Sequence, residues 1–202
     1  MEFDVFPVWE SLIDQGYFSW FDEVGRGPLA GPVVAGCFSL FPKTFEVCSE
    51  FETALFNFFE TLAEMGIYDS KALSTMKRKS IIHRLIGREI SDLRSEEVYV
   101  IAESKTFSVV LSLGEIDNQM IDQINIQQAT FAAMKIGLDC NRRWAKRKKL
   151  TCSIGYFLID GNRRPQWSKT DQVESLIKGD QKSLGIALAS IFAKEYRDHK
   201  MI

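Results

Sequence analysis

The stretch from Trp20 to Gly36, W-F-D-E-V-G-R-G-P-L-A-G-P-V-V-A-G, constrains the fold of this chain more than any other. Aromatic and apolar residues lead in from Tyr17 to Phe21, two acids follow, and glycines then alternate with an arginine. Beyond the prolines the pattern turns apolar again, through Val33, Val34 and Ala35 to Leu40. That order predicts strand, tight turn, strand, with Asp22 and Glu23 at the mouth of the turn.

In a regular strand neighbouring side chains point to opposite faces, so adjacent acids cannot share a ligand. A strand that breaks into a glycine turn escapes this restriction, and both carboxylates can then reach one cation. Gly25 and Gly27 leave bare backbone on either side of Arg26. Bare backbone lets a phosphate or sugar approach the N–H groups, and Arg26 adds a planar donor fork. An acidic dipeptide alone is more often a solvated hairpin loop. The whole string, flanked by apolar strands, favours a ligand site.

At 202 residues the chain suits one domain, 1–202, of ordinary soluble composition. No apolar run is long enough to span a bilayer, and Glu2 and Asp4 do not belong in a signal peptide. Cys37, Cys48, Cys140 and Cys152 show no C-x-x-C pairing, so reduced thiols in a cytoplasmic protein are expected and a zinc site is not. The net charge of -2 means that a polyanion must be met by a local basic face.

Residues 1–16 read as a short lead-in. Phe45 to Met65 carries Phe51, Leu55, Phe58, Phe59 and Leu62 at helical spacing, a helix packed on the sheet. Asp69-Ser70-Lys71-Ala72-Leu73-Ser74 precedes an amphipathic helix, N-capped by Ser74, with Ile81, Ile82, Leu85, Ile86 and Ile90 along its apolar stripe. Lys77, Arg78 and Lys79 fall away from that stripe, on a solvated surface or against phosphate. Val98 to Leu113 alternates as one strand, or two with a turn near Glu103 to Lys105. A helix is expected from about Asn125 to Trp144, with Asn125 as its cap. The basic run Arg142 to Lys149 complements that helix's C-terminal dipole, or touches a duplex flank.

Ser153 to Ile159 is almost continuously apolar, as in a buried central strand, and ends in Asp160-Gly161-Asn162. An acid at the carboxyl end of such a strand is a favoured ligand position in open sheets, with a turn-forming aspartate as the plain alternative. Val173 to Ile177 predicts a further strand, leading into Lys178-Gly179-Asp180-Gln181-Lys182-Ser183 and a helix to Arg197. The small residues Ala187, Ala189, Ser190 and Ala193 let that helix pack closely. Asp180 either caps it or ligates a cation, and Lys182 and Ser183 could meet phosphate at its N-terminus.

Asp22, Glu23, Asp160 and Asp180 each lie beside a glycine or glycine turn, at a predicted element end. Gathered together, four carboxylates repel unless cations neutralise them. Hard oxygen ligands without Cys or His select Mg²⁺ or Mn²⁺. Two such ions about 4 Å apart can activate a water and stabilise the leaving oxygen of a phosphodiester. The residues alone leave open whether the four acids converge.

D-E-V-G-R-G-P-L-A-G-P-V-V-A closely resembles the signature of the ribonuclease HII family, the type 2 ribonucleases H. D-S-K-A-L-S, I-D-Q-I-N-I-Q-Q-A-T, I-D-G-N and K-G-D-Q-K-S with I-A-L-A-S-I-F-A-K match further stretches in family order, from Asp22 onward. The resemblance implies a ribonuclease-H-like α/β fold: a mixed five-stranded sheet, its first three strands antiparallel, with helices on both faces. It implies that Asp22, Glu23, Asp160 and Asp180 hold the metals, and that Gly25, Arg26 and Gly27 read the 2′-hydroxyl and a phosphate. Ser70, Lys71, Asn125, Lys182 and Ser183 are implied to lie along the substrate backbone. The implied activity is cleavage of the RNA strand of RNA–DNA hybrids and incision 5′ to ribonucleotides embedded in duplex DNA, by a monomer.

The family often has a second Lys where Ala72 stands, and normally continues past the A-K-x-x-R-D helix into a segment whose Tyr packs on the ribose. This sequence ends at Ile202, and neither Tyr156 nor Tyr196 matches that Tyr, so the C-terminal segment is expected to be lacking. Two rival readings follow: a hybrid-binding protein with weak or lost turnover, and another two-metal nuclease on the same fold.

Overall fold

The aromatic lead-in and the apolar run after the prolines pair as a two-stranded core onto which the other strands add. The computed structural model describes residues 16–27, 30–44, 48–67, 72–150 and 153–202. β1 (Tyr17–Val24) lies antiparallel to β2 (Val33–Pro42), with Trp20 opposite Phe38 and Asp22 opposite Gly36. Every residue of β2 is buried, which explains its near-continuous apolar sequence: both faces are covered.

The sheet has six strands in the order β3-β4-β2-β1-β5-β6. One more strand forms than the five expected, because the stretch from Val98 folds as two. β3 (Val98–Glu103) and β4 (Phe107–Ile116) are joined by a turn in which the Ser104 hydroxyl accepts from the N–H groups of Thr106 and Phe107. The pairs β3/β4, β4/β2 and β2/β1 are antiparallel. On the other side, β5 (Gly155–Asp160) runs parallel to β1, and β6 (Gln172–Leu176) parallel to β5.

Helices cover both faces, as anticipated. On one face lie α1 (Ser49–Glu64), α2 (Thr75–Ile86) and, at the end of the chain, α5 (Leu184–Lys200), packing Phe51, Phe59, Ile82, Leu188 and Phe192 with Trp20 and Phe38. The opposite face carries α3 (Asn118–Ile124) and α4 (Ile126–Arg147), with Ala133, Met134 and Leu138 against Phe21, Cys37 and Phe157. Two strand glycines set these distances. A β-carbon on Gly36 would stand 2.3 Å from the Ala189 carbonyl oxygen of α5, and one on Gly114 would stand 1.9 Å from that of Ala133 in α4. The small residues of α5 therefore do allow the close approach read from the sequence.

The N-cap of α2 falls where the sequence placed it, and a glycine not singled out there ends the helix. The Ser74 hydroxyl accepts from the Lys77 N–H, and Gly87, in the left-handed region at φ 65°, ends α2. Ile90 consequently leaves the helix for a short 3₁₀ turn, although it remains in the same core. Arg78 differs more sharply from expectation. It is buried, and its Nε donates to Glu195 Oε1 of α5 at 2.5 Å. The basic triplet is thus split: Lys77 and Lys79 are exposed, while Arg78 ties α2 to α5.

Cys37 and Cys140 are buried free thiols and Cys48 an exposed one; burial pushes the Cys37 thiol up to about 12. The lead-in up to residue 15, Ser70, Lys71 and Cys152 lie outside the described residues. Among the described residues no helix is long and apolar enough to cross a membrane.

Candidate active site

The site forms at the carboxyl ends of β1 and β5. Phe21 is the register partner of Ile159, so Asp22 and Asp160 are the next residues on two adjacent parallel strands. Phe21 and Ile159 belong to the α4-side core, whereas Trp20 and Leu158 belong to the α5 side. Alternation along a strand therefore turns Asp22 and Asp160 toward the same face, that of α5. Glu23 starts on the opposite face. β1 runs through Val24 and gives way to the glycine turn at Gly25, so the acids stand at the mouth of that turn, as expected. At this end of the strand Asp22, Glu23 and Asp160 line one cleft of about 200 Å³ with Val24, Arg78, Ser190 and Lys194.

Burial holds the Asp22 carboxyl well above the usual carboxylate range, and the charges of Glu23 and Asp160 push it the same way. Hydrogen bonds from Ser190 and from the Glu23 N–H oppose that rise, the latter at 2.7 Å. Burial raises Glu23 too, while its ion pair with Arg26 at 3.0 Å pulls it back. The second amino group of Arg26 donates to Gln127 Oε1 of α4, also at 3.0 Å. Gln127, Arg26 and Arg163 line a recess on the far side of Glu23 and Asp160. Basic groups thus stand on both sides of the acids.

Asp180 sits in a 3₁₀ turn, Gly179–Gln181, where it is buried. It does not line the acid cleft, but the neighbouring Gly179 N–H donates to Asp160 Oδ1 at 2.6 Å, which ties that turn to the site. Asp180 does not cap α5: the Ser183 hydroxyl does, accepting from Ile186 N–H. Ser183 is buried and Lys182 exposed. Asn125, at φ 67°, caps α4 by accepting from the N–H groups of Gln127 and Gln128. Gly25 takes φ 100°, a conformation that glycine adopts freely, and among the described residues nothing stands within 4 Å of where a side chain on Gly27 would begin.

Among the described residues no three His, Cys, Asp or Glu side chains stand close enough to enclose a metal ion. The donor set nevertheless suits one kind of ion. A cleft of carboxylate oxygens that raise one another's proton affinity calls for positive charge. Mg²⁺-like ions bind through one or two carboxylates plus water and substrate phosphates, without an all-protein cage. Arg78, Ser190, Lys194 and Gln127 were not singled out as site residues from the sequence. Ser190 and Lys194 stand four residues apart on α5, a spacing that in sequence reads only as helix packing.

A mixed sheet, antiparallel on one side and parallel on the other, with acids at the carboxyl ends of its central parallel strands, defines a ribonuclease-H-like protein. The ribonuclease HII family model matches residues 21–202, and the chain belongs to that family. Ribonuclease HII of Listeria monocytogenes serotype 4b is 36% identical over 192 residues, 94% of this chain and 55% of that protein. Ribonuclease HII of Chloroherpeton thalassium is 34% identical over 196 residues, 97% of this chain and 74% of that protein. The chain thus spans about half the length of the Listeria relative and three quarters of the Chloroherpeton one. The crystal structure of Bst-RNase HIII in complex with Mn²⁺ superposes with a TM-score of 0.55 at 16% identity, covering 95% of this chain and 55% of that one. At that identity the likeness concerns the fold.

Proposed function

We propose that this protein is a metal-dependent endoribonuclease that cleaves the RNA strand of RNA–DNA hybrids and incises 5′ to ribonucleotides embedded in duplex DNA. The observation that carries this reading is the juxtaposition of Asp22 and Asp160 on neighbouring strands, with Glu23 on the same cleft, in a chain of the ribonuclease HII family.

Asp22, Glu23 and Asp160 would hold divalent cations, Mg²⁺ or Mn²⁺, with Asp180 from the adjoining turn. When bound, such a pair of ions activates the attacking water and stabilises the leaving oxygen. The chain's own groups do the positioning. The Gly179 N–H fixes the Asp160 carboxylate, and the Ser190 hydroxyl with the Glu23 N–H fixes that of Asp22. Gly25, Arg26 and Gly27 offer backbone N–H groups and a guanidinium to the ribonucleotide, whose 2′-hydroxyl is the mark that distinguishes it from DNA. Arg26 is held beside the acids by Glu23 and Gln127, in the recess that Glu23 and Asp160 also line. Lys194 lines the cleft on the other side of the acids and offers a cation to the substrate backbone. Ser70, Lys71, Asn125 and Lys182 complete the proposed substrate surface, with the buried Ser183 at the N-terminus of α5 beside Lys182. The setting is ribonucleotide removal from DNA in the cytoplasm, by a monomer.

The test is incubation with a DNA duplex holding a single ribonucleotide, with Mg²⁺ or Mn²⁺. Incision on the 5′ side of the ribonucleotide, lost in Asp160→Asn, is the expected result. Tight binding with no cutting would identify a hybrid-binding protein, and equal cutting of an all-DNA duplex a less selective nuclease; either would overturn the proposal.

A further inference from the structure

Ser190, Lys194 and Arg197 follow one another along α5 at spacings of four and three residues, and Met201, its C-cap, falls four further on along the same stripe. Ser190 meets Asp22, and Lys194 lines the acid cleft. Further along, Arg197 is buried, its Nε donating to the Pro32 carbonyl at 2.9 Å and its Nη2 to the Ala30 carbonyl at 3.0 Å. Both carbonyls belong to the loop that carries Gly25, Arg26 and Gly27. That loop is shaped around the guanidinium. A β-carbon on Gly25 would stand 2.6 Å from Arg197 Nε, and one on Gly31 would stand 2.6 Å from Met201 Sδ.

Burying a guanidinium is costly unless its donors are satisfied, and here the partners are main-chain oxygens of the turn. The planar fork reaches two carbonyls two residues apart; a lysine ammonium is a point donor with no such geometry. We infer that Arg197 is a positioning residue for the arginine turn, holding Gly25, Arg26 and Gly27 in the shape that receives a ribonucleotide. The inference rests on the proposed function for its ligand. It adds that selectivity for the ribonucleotide is set from beneath by the last helix, on the same stripe that supports Asp22.

The test compares wild type with Arg197→Lys, which keeps the charge, and with Gly31→Ala, which keeps Arg197 but crowds Met201 and, at 3.3 Å, the Arg197 Nη2 that holds the turn. Affinity for a duplex holding one ribonucleotide and for the matching all-DNA duplex is measured by fluorescence anisotropy in Ca²⁺, where turnover is not needed. In both variants we expect the preference for the ribonucleotide duplex to fall about tenfold, the worth of one charge-assisted hydrogen bond. In Mg²⁺, KM should rise by a similar factor with kcat unchanged, and Mn²⁺ binding by calorimetry should stay at the wild-type value. A purely structural role would reduce the folded fraction, lowering apparent kcat and leaving KM and the preference alone; that result overturns the inference. A wild-type preference in whichever variant folds overturns it as well. Failure of the wild type to incise would count against the proposed function, while the Ca²⁺ binding ratio still decides the role of Arg197.

Discussion

The Gly179 N–H donates to Asp160 Oδ1 at 2.6 Å, joining the end of β5 to the turn that carries Asp180. A side chain at residue 179 would crowd Ile186 and press on this contact. A β-carbon there would stand 2.5 Å from Ile186 Cδ1 and 3.1 Å from the same Asp160 oxygen. Gly179→Ala should therefore cost about 1–3 kcal/mol of stability, as overpacking does. It should also lower turnover more than it weakens duplex binding. Urea unfolding and steady-state kinetics check the two effects separately.

Asp22 makes stability depend on pH in an unusual direction. Its folded-state pKa lies well above the ordinary 3.8, so ionising it costs the folded state more than the unfolded one. The penalty is absent below the unfolded value, grows as pH rises through the interval, and is complete above the folded value. In the presence of a chelator, Asp22→Asn should melt a few degrees above wild type at neutral pH, and the gap should close on acidification. Adding Mg²⁺ or Mn²⁺ should raise the melting temperature of wild type alone. Thermal denaturation across a pH series, with and without cation, checks both signs.

Arg78 and Glu195 form an ion pair at 2.5 Å with both side chains nearly sealed from solvent, at 7% and 2% exposed. Glu195→Gln leaves the guanidinium buried without its countercharge. It should destabilise the protein by about 3–5 kcal/mol, read as a lower urea midpoint at unchanged slope.

Gly114 faces the Ala133 carbonyl oxygen at a distance that no β-carbon tolerates. Gly114→Ala should push α4 away from β4 and cost at least about 1–3 kcal/mol. Because α4 also carries Gln127, which holds Arg26, the same variant should loosen duplex binding. Anisotropy on folded protein measures that second effect.

The sequence made the strands legible through their runs of apolar residues, and Ser74 and Asn125 legible as caps through their position before periodic segments; for α5 it offered Asp180 as the cap, whereas Ser183 supplies it. It pointed to Asp22 and Asp160 because each follows an apolar strand run and precedes a glycine turn. Which face they shared depended on the β1/β5 register, which only the fold supplies. The split of the stretch from Val98 into two strands stayed open because Ser104 and Lys105 are compatible with a turn or an irregular strand. Arg78 was misplaced because it sits off the apolar stripe of its own helix; its partner, Glu195, lies 117 positions away. Arg197 and Gln127 were illegible for the same reason, since each acts through a contact with the distant arginine turn.

A crystal of the protein soaked in Mn²⁺ and measured for anomalous scattering tests the central claim most directly. The account predicts a peak about 2 Å from carboxylate oxygens of both Asp22 and Asp160, absent in Asp160→Asn crystals treated alike. Density that touches neither residue, or a peak unchanged in that variant, would contradict it.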